Sequence, residues 1–430
     1  MPLARVSPSL LSHNQGAGVK KKSLVSTIGL RGLLSSIISR NAYRGLATKN
    51  KKKLIFSKLF QSKANVFTAV TNDVSLYAWG LNNYGQFGNG MNADSNTPIN
   101  IGVLNVVDLV CSTSHSLALM SNNKLYSWGF NQFGQLGNGT NTSSNTPVAV
   151  DMTGVLAGKT ISQISVGIAH CLVLTSDNKL YSWGDNQFGQ LGNGTNTDSN
   201  VPIAVDMTGV LSGKTIALIS CGDVNCIVLT SDNKLYSWGN NAYGQLGDGT
   251  NTDSNIPVTV NMSGVLSGKT ISKLNCGGTS CLVLTADNKL YSWGFNQYGQ
   301  LGNGTNTDSN VPVDVNMSGV LSGKTISQIS NGTINSLILT SDNKLYSWGD
   351  NQYGQLGNGT NIASNVPVTV DMTGVLLGKS VSQINCGANY SIVLTSDNKM
   401  YSWGGNSSGQ LGDGTNTDKS IPVQVIEDAY

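Results

Sequence analysis

The sequence predicts an all-β repeat fold assembled from seven copies of one four-stranded unit. Three observations predict it. The run Leu-Tyr-Ser-Trp-Gly-Phe-Asn-Gln-Phe-Gly-Gln-Leu-Gly-Asn-Gly at 125–139 recurs seven times, and its tryptophans (Trp79, Trp128, Trp183, Trp238, Trp293, Trp348 and Trp403) are all the tryptophans of the chain. They are spaced 49 residues once and 55 residues five times, and self-similarity at such a period marks a propeller, a solenoid or an array. Charged residues make up only 11% of the chain while Gly reaches 51, a composition that favours short strands and turns over helices.

In chain order, residues 1–60 differ in kind from the rest. Residues 1–65 carry 13 of the 26 Lys and Arg and no acid, so the remaining 13 lysines face all 23 acids, a balance of −10. The acid-poor, Arg- and Ser-containing leader, with Ser39-Arg40-Asn41-Ala42-Tyr43-Arg44-Gly45 as a processing region, is expected to be disordered and to direct the protein to mitochondria. Nuclear import or nucleic-acid binding through its lysine clusters, and a cytoplasmic protein with a solvated tail, are the alternatives. No segment reaches the roughly 18 uninterrupted apolar residues that a membrane helix needs.

From Val66 the repeats begin, and the third shows the unit. Ile161–Val166 reads as strand A, His170–Thr175 as B, Lys179–Gly184 as C and Pro202–Val205 as D. Tyr181 and Trp183 fall on one face of strand C and Leu180 and Ser182 on the other, as a strand packed between two sheets requires. Ser176-Asp177-Asn178-Lys179 supplies the B–C turn. A proline (Pro98, Pro147, Pro202, Pro257, Pro312, Pro367, Pro422) is expected to open strand D, where a residue lacking an N–H is tolerated.

The run Tyr181-Ser182-Trp183-Gly184, then Gly189-Gln190-Leu191-Gly192, then Pro202, resembles the repeat of the regulator of chromosome condensation (RCC1-like) family. That resemblance covers about residues 66–430 and implies a seven-bladed β-propeller of four-stranded blades, preceded by the basic leader. The propeller would span 64–430, with blades near 105–150, 161–205, 216–260, 271–315, 326–370 and 381–425. The remaining blade, near 66–101, has no recognisable strand A before Val66. Ile426-Glu427-Asp428-Ala429-Tyr430 resembles Val106-Val107-Asp108-Leu109-Val110, so residues 426–430 are expected to complete that blade and close the ring.

Motifs for chemistry are sparse. Gly154-Val155-Leu156-Ala157-Gly158-Lys159-Thr160 has G-x3-G-K-T spacing, precedes a strand and recurs in five copies, which makes it a linker between blades rather than a phosphate loop. Asp248-Gly249-Thr250-Asn251-Thr252-Asp253 lacks the ligand spacing of a calcium loop and reads as turn chemistry. Seven cysteines fall in two repeat columns, Cys111, Cys221, Cys276 and Cys386 in one and Cys171, Cys226 and Cys281 in the other. With C-x4-C spacing, no CxxC and no companion histidines, neither a disulfide framework nor a zinc site is expected. No cofactor is expected. All four arginines lie in the first 44 residues, which argues against a nucleic-acid-reading surface on the repeats. With only His115 and His170 in the repeats and Glu427 as the sole Glu, no catalytic set can be assembled, and the expectation is a protein that is not an enzyme.

The copies differ at two places. One is the A–B turn with the residue that follows it, giving Asp223, His115, His170, Asn225 and Tyr390 as candidates; the other is the residue after Trp-Gly: Leu81, Phe130, Asp185, Asn240, Phe295, Asp350 and Gly405. In an up-and-down blade the A–B and C–D connections share one rim, so these positions are predicted to bind a partner protein, Phe130 and Phe295 as anchors. The seven tryptophans are assigned to the blade core. A monomer is expected. The family resemblance also implies guanine-nucleotide exchange on a small GTPase as a rival function, weakened here because no single blade carries an inserted wedge and because histidine after the A–B turn survives only at His115 and His170.

Overall fold

A computed structural model describes residues 54–62, 65–71, 75–103 and 105–427; the leader up to residue 53 and residues 428–430 lie outside the described residues. Among the described residues every regular element is a strand, and no helix is long and apolar enough to cross a membrane. The strands form seven sheets arranged as a ring of blades, each built on four antiparallel strands. Blade 3 is Ile161–Val166, His170–Thr175, Leu180–Gly184 and Ser199–Ala204. Strand B is buried along its whole length in this blade, and so is strand C, whereas strand D is half open to solvent. Pro202 is the fourth residue of strand D rather than its first. The correction follows from the edge: strand D is the outermost strand, so its proline withholds no ladder bond.

What ties the blades together is the tryptophan run itself. Each indole Nε1 donates to a glutamine carbonyl in the blade before it: Trp128 to Gln86, Trp183 to Gln135, Trp238 to Gln190, Trp293 to Gln245, Trp348 to Gln300 and Trp403 to Gln355. Trp79 donates to Gln410 at 3.1 Å and completes the circle. All seven rings are fully buried, so each couples a hydrogen bond to the burial of a large apolar side chain. On the opposite side, the B–C turn asparagine adopts the left-handed conformation, as at Asn178 (φ 63°), and its amide grips the next linker, donating to Lys214 O and accepting from Ile216 N, both at 2.7 Å. Asparagine enters that region more readily than other non-glycine residues, which explains why the turn repeats so uniformly.

Closure differs from expectation. Strand A of the first blade is Phe56–Leu59, paired antiparallel with Val66–Thr71, and lies in a stretch the sequence assigned to the leader. Ile426 and Glu427 do not fill that position, and the rest of the expected closing strand, 428–430, lies outside the described residues. Val425 N bonds Met400 O and Ile426 N bonds Gly412 O, repeating the bonds of Val150 to Leu125 and Asp151 to Gly137. Ile426 therefore stands where a D–A linker begins, and its backbone is committed before a strand could start. The first and seventh blades instead join side by side: Leu54 N donates to Glu427 O, Leu59 N to Gln383 Oε1 at 2.8 Å, and Tyr390 OH to Val66 O at 3.2 Å. Gln61–Ser62 then runs parallel to Val110–Cys111 and adds a fifth strand to the second blade.

Candidate binding rim

Seven backbone bonds hold the C–D loops against the A–B turns, from Leu81 to Asn65, Phe130 to Ser114, Asp185 to Ala169, Asn240 to Val224, Phe295 to Thr279, Asp350 to Ile334 and Gly405 to Asn389. The two sets of loops therefore form one face. Each C–D loop spans 14 residues, so no blade carries an insertion there. Charge is divided between the faces. The described A–B and C–D loops hold ten aspartates and no lysine or arginine; the described B–C turns and D–A linkers hold eleven lysines against eight aspartates. On that second face five linker lysines pair with turn aspartates, as Lys214 with Asp232 at 2.7 Å, exposed pairs of small individual worth.

Several residues expected on the rim surface are buried. His115, His170, Asn225 and Tyr390 are at most 1% exposed; His115, His170 and Tyr390 reach into the next blade, while Asn225 Nδ2 is buried without a hydrogen bond. His115 Nε2 lies 3.3 Å from Cys171 Sγ, His170 Nε2 3.2 Å from Cys226 Sγ, and Tyr390 OH reaches Val66 O. Both histidines thus meet a cysteine of the next blade, and the tyrosine a backbone carbonyl. Asp185, Asn240 and Asp350 are also buried, each accepting a hydrogen bond from the glutamine five residues on: Gln190 and Gln355 at 2.7 Å, Gln245 at 2.5 Å. Leu81, Phe130, Phe295 and Asp223 remain partly exposed.

Where phenylalanine replaces the aspartate, that glutamine loses its partner. Gln135 Nε2 and Gln300 Nε2 are buried with no hydrogen bond, a cost of about 1–3 kcal/mol each. In exchange the rings build two clusters. Phe130 packs on Tyr84 of the preceding blade (centroids 4.8 Å apart) and on Phe133 (6.2 Å); Phe295 packs on Tyr243 (4.8 Å) and Tyr298 (6.0 Å). Tyr84, Phe133, Tyr243 and Tyr298 are 38–44% exposed. Sequence comparison of the copies passed over them because an aromatic recurs at that place in six repeats, continuing at Phe188 and Tyr353. Repetition looked structural, yet four of the six face solvent and the other two are half-buried.

The sulfur columns also depart from expectation. Cys276 and Cys281 form a disulfide. In the blade before, Cys221 and Cys226 occupy the same paired register with their sulfurs 2.9 Å apart, and the companion histidine is His170, from the neighbouring blade. Its distance along the chain hid it.

Burial acts strongly on His115. Its ring is fully enclosed with Nδ1 2.7 Å from Ser112 Oγ, and desolvation, helped by nearby His170, pushes its pKa down to about 3. The unfolded side chain titrates near 6.5. The folded state thus refuses a proton that the unfolded state accepts, so above pH ~6.5 the group contributes nothing and stability falls as the pH drops from there toward 3. Chemical denaturation of the native protein and of His115→Gln between pH 7 and 4 should give a shallower pH slope for the variant; equal slopes would refute this.

The fold and this rim define a closed-ring repeat propeller with one acidic, aromatic loop face. The chain belongs to the RCC1-like domain family, which it matches over residues 75–429. It is 36% identical over 353 residues to the ultraviolet-B receptor UVR8 of Arabidopsis thaliana, covering 81% of this chain and 77% of that one. Human WBSCR16 superposes with a TM-score of 0.71 at 25% identity, over 82% of this chain and 94% of the other. Prp20p of Saccharomyces cerevisiae, whose structure was described together with its binding to Gsp1p and histones, has a TM-score of 0.68 at 21% identity, over 86% and 87% of the two chains. That last likeness carries the fold.

Proposed function

We propose that this chain is a non-enzymatic protein-binding propeller that works in mitochondria and seats a basic partner on the face formed by its A–B and C–D loops. The observation that carries the reading is the exchange made at Phe130 and Phe295. Twice, at blades three apart, a hydrogen bond to a buried amide is given up and an aromatic cluster faces solvent instead. Buried unpaired amides are rare enough to need a reason, and exposed aromatics anchoring a desolvated contact supply one. The described part of these loops carries ten aspartates and no lysine or arginine, a balance that favours a partner of opposite sign and speeds its encounter.

The test separates binding from folding. Partners crosslinked to the native protein in intact mitochondria are purified and titrated against it. Phe130→Asp and Phe295→Asp should each weaken binding tenfold or more. Their unfolding free energies should stay within about 1 kcal/mol of native, because aspartate restores the acceptor that Gln190 finds in Asp185. Lys214→Glu, on the other face, should leave affinity unchanged. Unaltered affinity in both aspartate variants would sink the reading.

The mitochondrial assignment rests on the acid-free basic leader. Because strand A of the first blade begins at Phe56, cleavage between residues 42 and 50 would leave that blade whole. Sequencing the mature N-terminus of a C-terminally tagged protein should place it in that interval; an intact nuclear protein would overturn the location. An exchange factor is distinguished by nucleotide release from a small Ran-like GTPase, which this chain is expected not to accelerate.

A further inference from the structure

We propose that His170, Cys221 and Cys226 form a binding site for one soft d10 metal cation between the third and fourth blades. Their ligand atoms all lie within 4.8 Å of one another and all three residues are buried. The two cysteines are directly paired across strands A and B of the fourth blade, with Sγ atoms 2.9 Å apart, and His170 reaches over from the third blade with Nε2 3.2 Å from Cys226 Sγ. His170 Nδ1 is buried without a hydrogen-bond partner. Nothing in the packing between these blades uses both ring nitrogens, which is an unusual state for an enclosed imidazole.

The neighbouring blade isolates what the histidine adds. Cys276 and Cys281 hold the same register and are joined as a disulfide. The residue in Asn225's position is the first of strand B in each copy, and Asn225 of the fourth blade is the counterpart there of His170. Amide and imidazole differ in one relevant respect, since neutral imidazole is a strong ligand for Zn2+ and Cu+. Two thiolates and an imidazole, with no carboxylate among the three, select soft cations over Mg2+ or Ca2+.

Binding would release the two thiol protons as the sulfurs become thiolates, M2+ or M+ replacing 2 H+. With metal–sulfur bonds of about 2.3 Å in tetrahedral array the sulfurs must separate to about 3.8 Å, a movement within reach of cysteine side-chain rotation. Zn2+ with two thiolates leaves a buried site neutral but asks for a fourth donor. Cu+ is content with three donors and leaves one negative charge. Both fit the same chemistry, and the measurement chooses between them.

The full-length protein, purified with a phosphine reductant, is mixed with one equivalent of Zn2+ or Cu+, desalted, and its metal counted. One equivalent of one cation should be retained, falling to less than a tenth of that in Cys226→Ser and in His170→Gln. Cys281→Ser, in the blade that lacks a facing imidazole, should retain it. Since a buried substitution can disturb folding, the native protein gives a second reading: loading with Co2+ should produce a thiolate-to-cobalt charge-transfer absorption, and bound metal should shield Cys221 and Cys226 from alkylation. The proposal is overturned if the folded native protein retains neither cation, if retention survives both site substitutions, or if mass spectrometry finds a Cys221–Cys226 disulfide in the reduced protein.

Discussion

Replacing Phe56 with alanine is expected to destabilise the propeller by about 3–5 kcal/mol, far more than its position just after a basic leader would suggest. Its ring is fully buried, edge-on to Tyr77 at 6.1 Å and 6.2 Å from Trp79. The cluster around it mixes Leu54 and Leu59 of the first blade with Tyr390, Met400, Leu411 and Val425 of the seventh. Removing the ring would therefore open a cavity at the one junction where the two ends of the propeller meet, and a loss there weakens closure of the whole ring. Ile55, beside it, is 47% exposed, and Ile55→Ala should change stability by less than about 0.5 kcal/mol. Denaturant titration of the two variants decides the matter; equal midpoints would mean that Phe56–Leu59 does not complete the first blade.

That strand was legible in the sequence, though in a different column from the one that suggested closure. Phe56-Ser57-Lys58-Leu59 parallels Ile271-Ser272-Lys273-Leu274, and both use the same register: Phe56 opposite Thr71 as Ile271 is opposite Thr285, Leu59 opposite Ala69 as Leu274 is opposite Val283. The match was masked by the run of basic residues before it. The repeat period, the four strands and the buried tryptophans followed directly from alternation and spacing, because each blade obeys local rules. The rim did not, because what decides it lies between blades. Variable His115, His170 and Tyr390 meet a neighbour 56 residues or a full turn of the ring away, and are buried. Uniform Tyr84, Tyr243 and Tyr298 are exposed since a loop fixed by its glycines holds them outward. Within a repeat ring, differences between copies report on packing between blades as readily as on partners.

The same inter-blade logic sets the second large effect, at Gly192. This residue has φ +66° and a β-carbon added to it would sit 2.6 Å from Trp238 Nε1. Gly192→Ala thus combines a left-handed backbone, costing about 1–2 kcal/mol for an L-residue, with overpacking against an indole, about 1–3 kcal/mol. A loss of roughly 2–5 kcal/mol is expected. Trp238→Phe should cost about 1–3 kcal/mol alone, since it strips the donor from Gln190 O and shrinks a fully buried side chain. Phenylalanine, however, lacks the indole N–H edge against which the new methyl would press. The double variant should then fall short of additivity by about 1–2 kcal/mol, within the range of coupling between residues in contact. Strict additivity would show that the glycine is required by backbone conformation alone, and that the tryptophan and the glycine of the repeated run do not form one inter-blade joint.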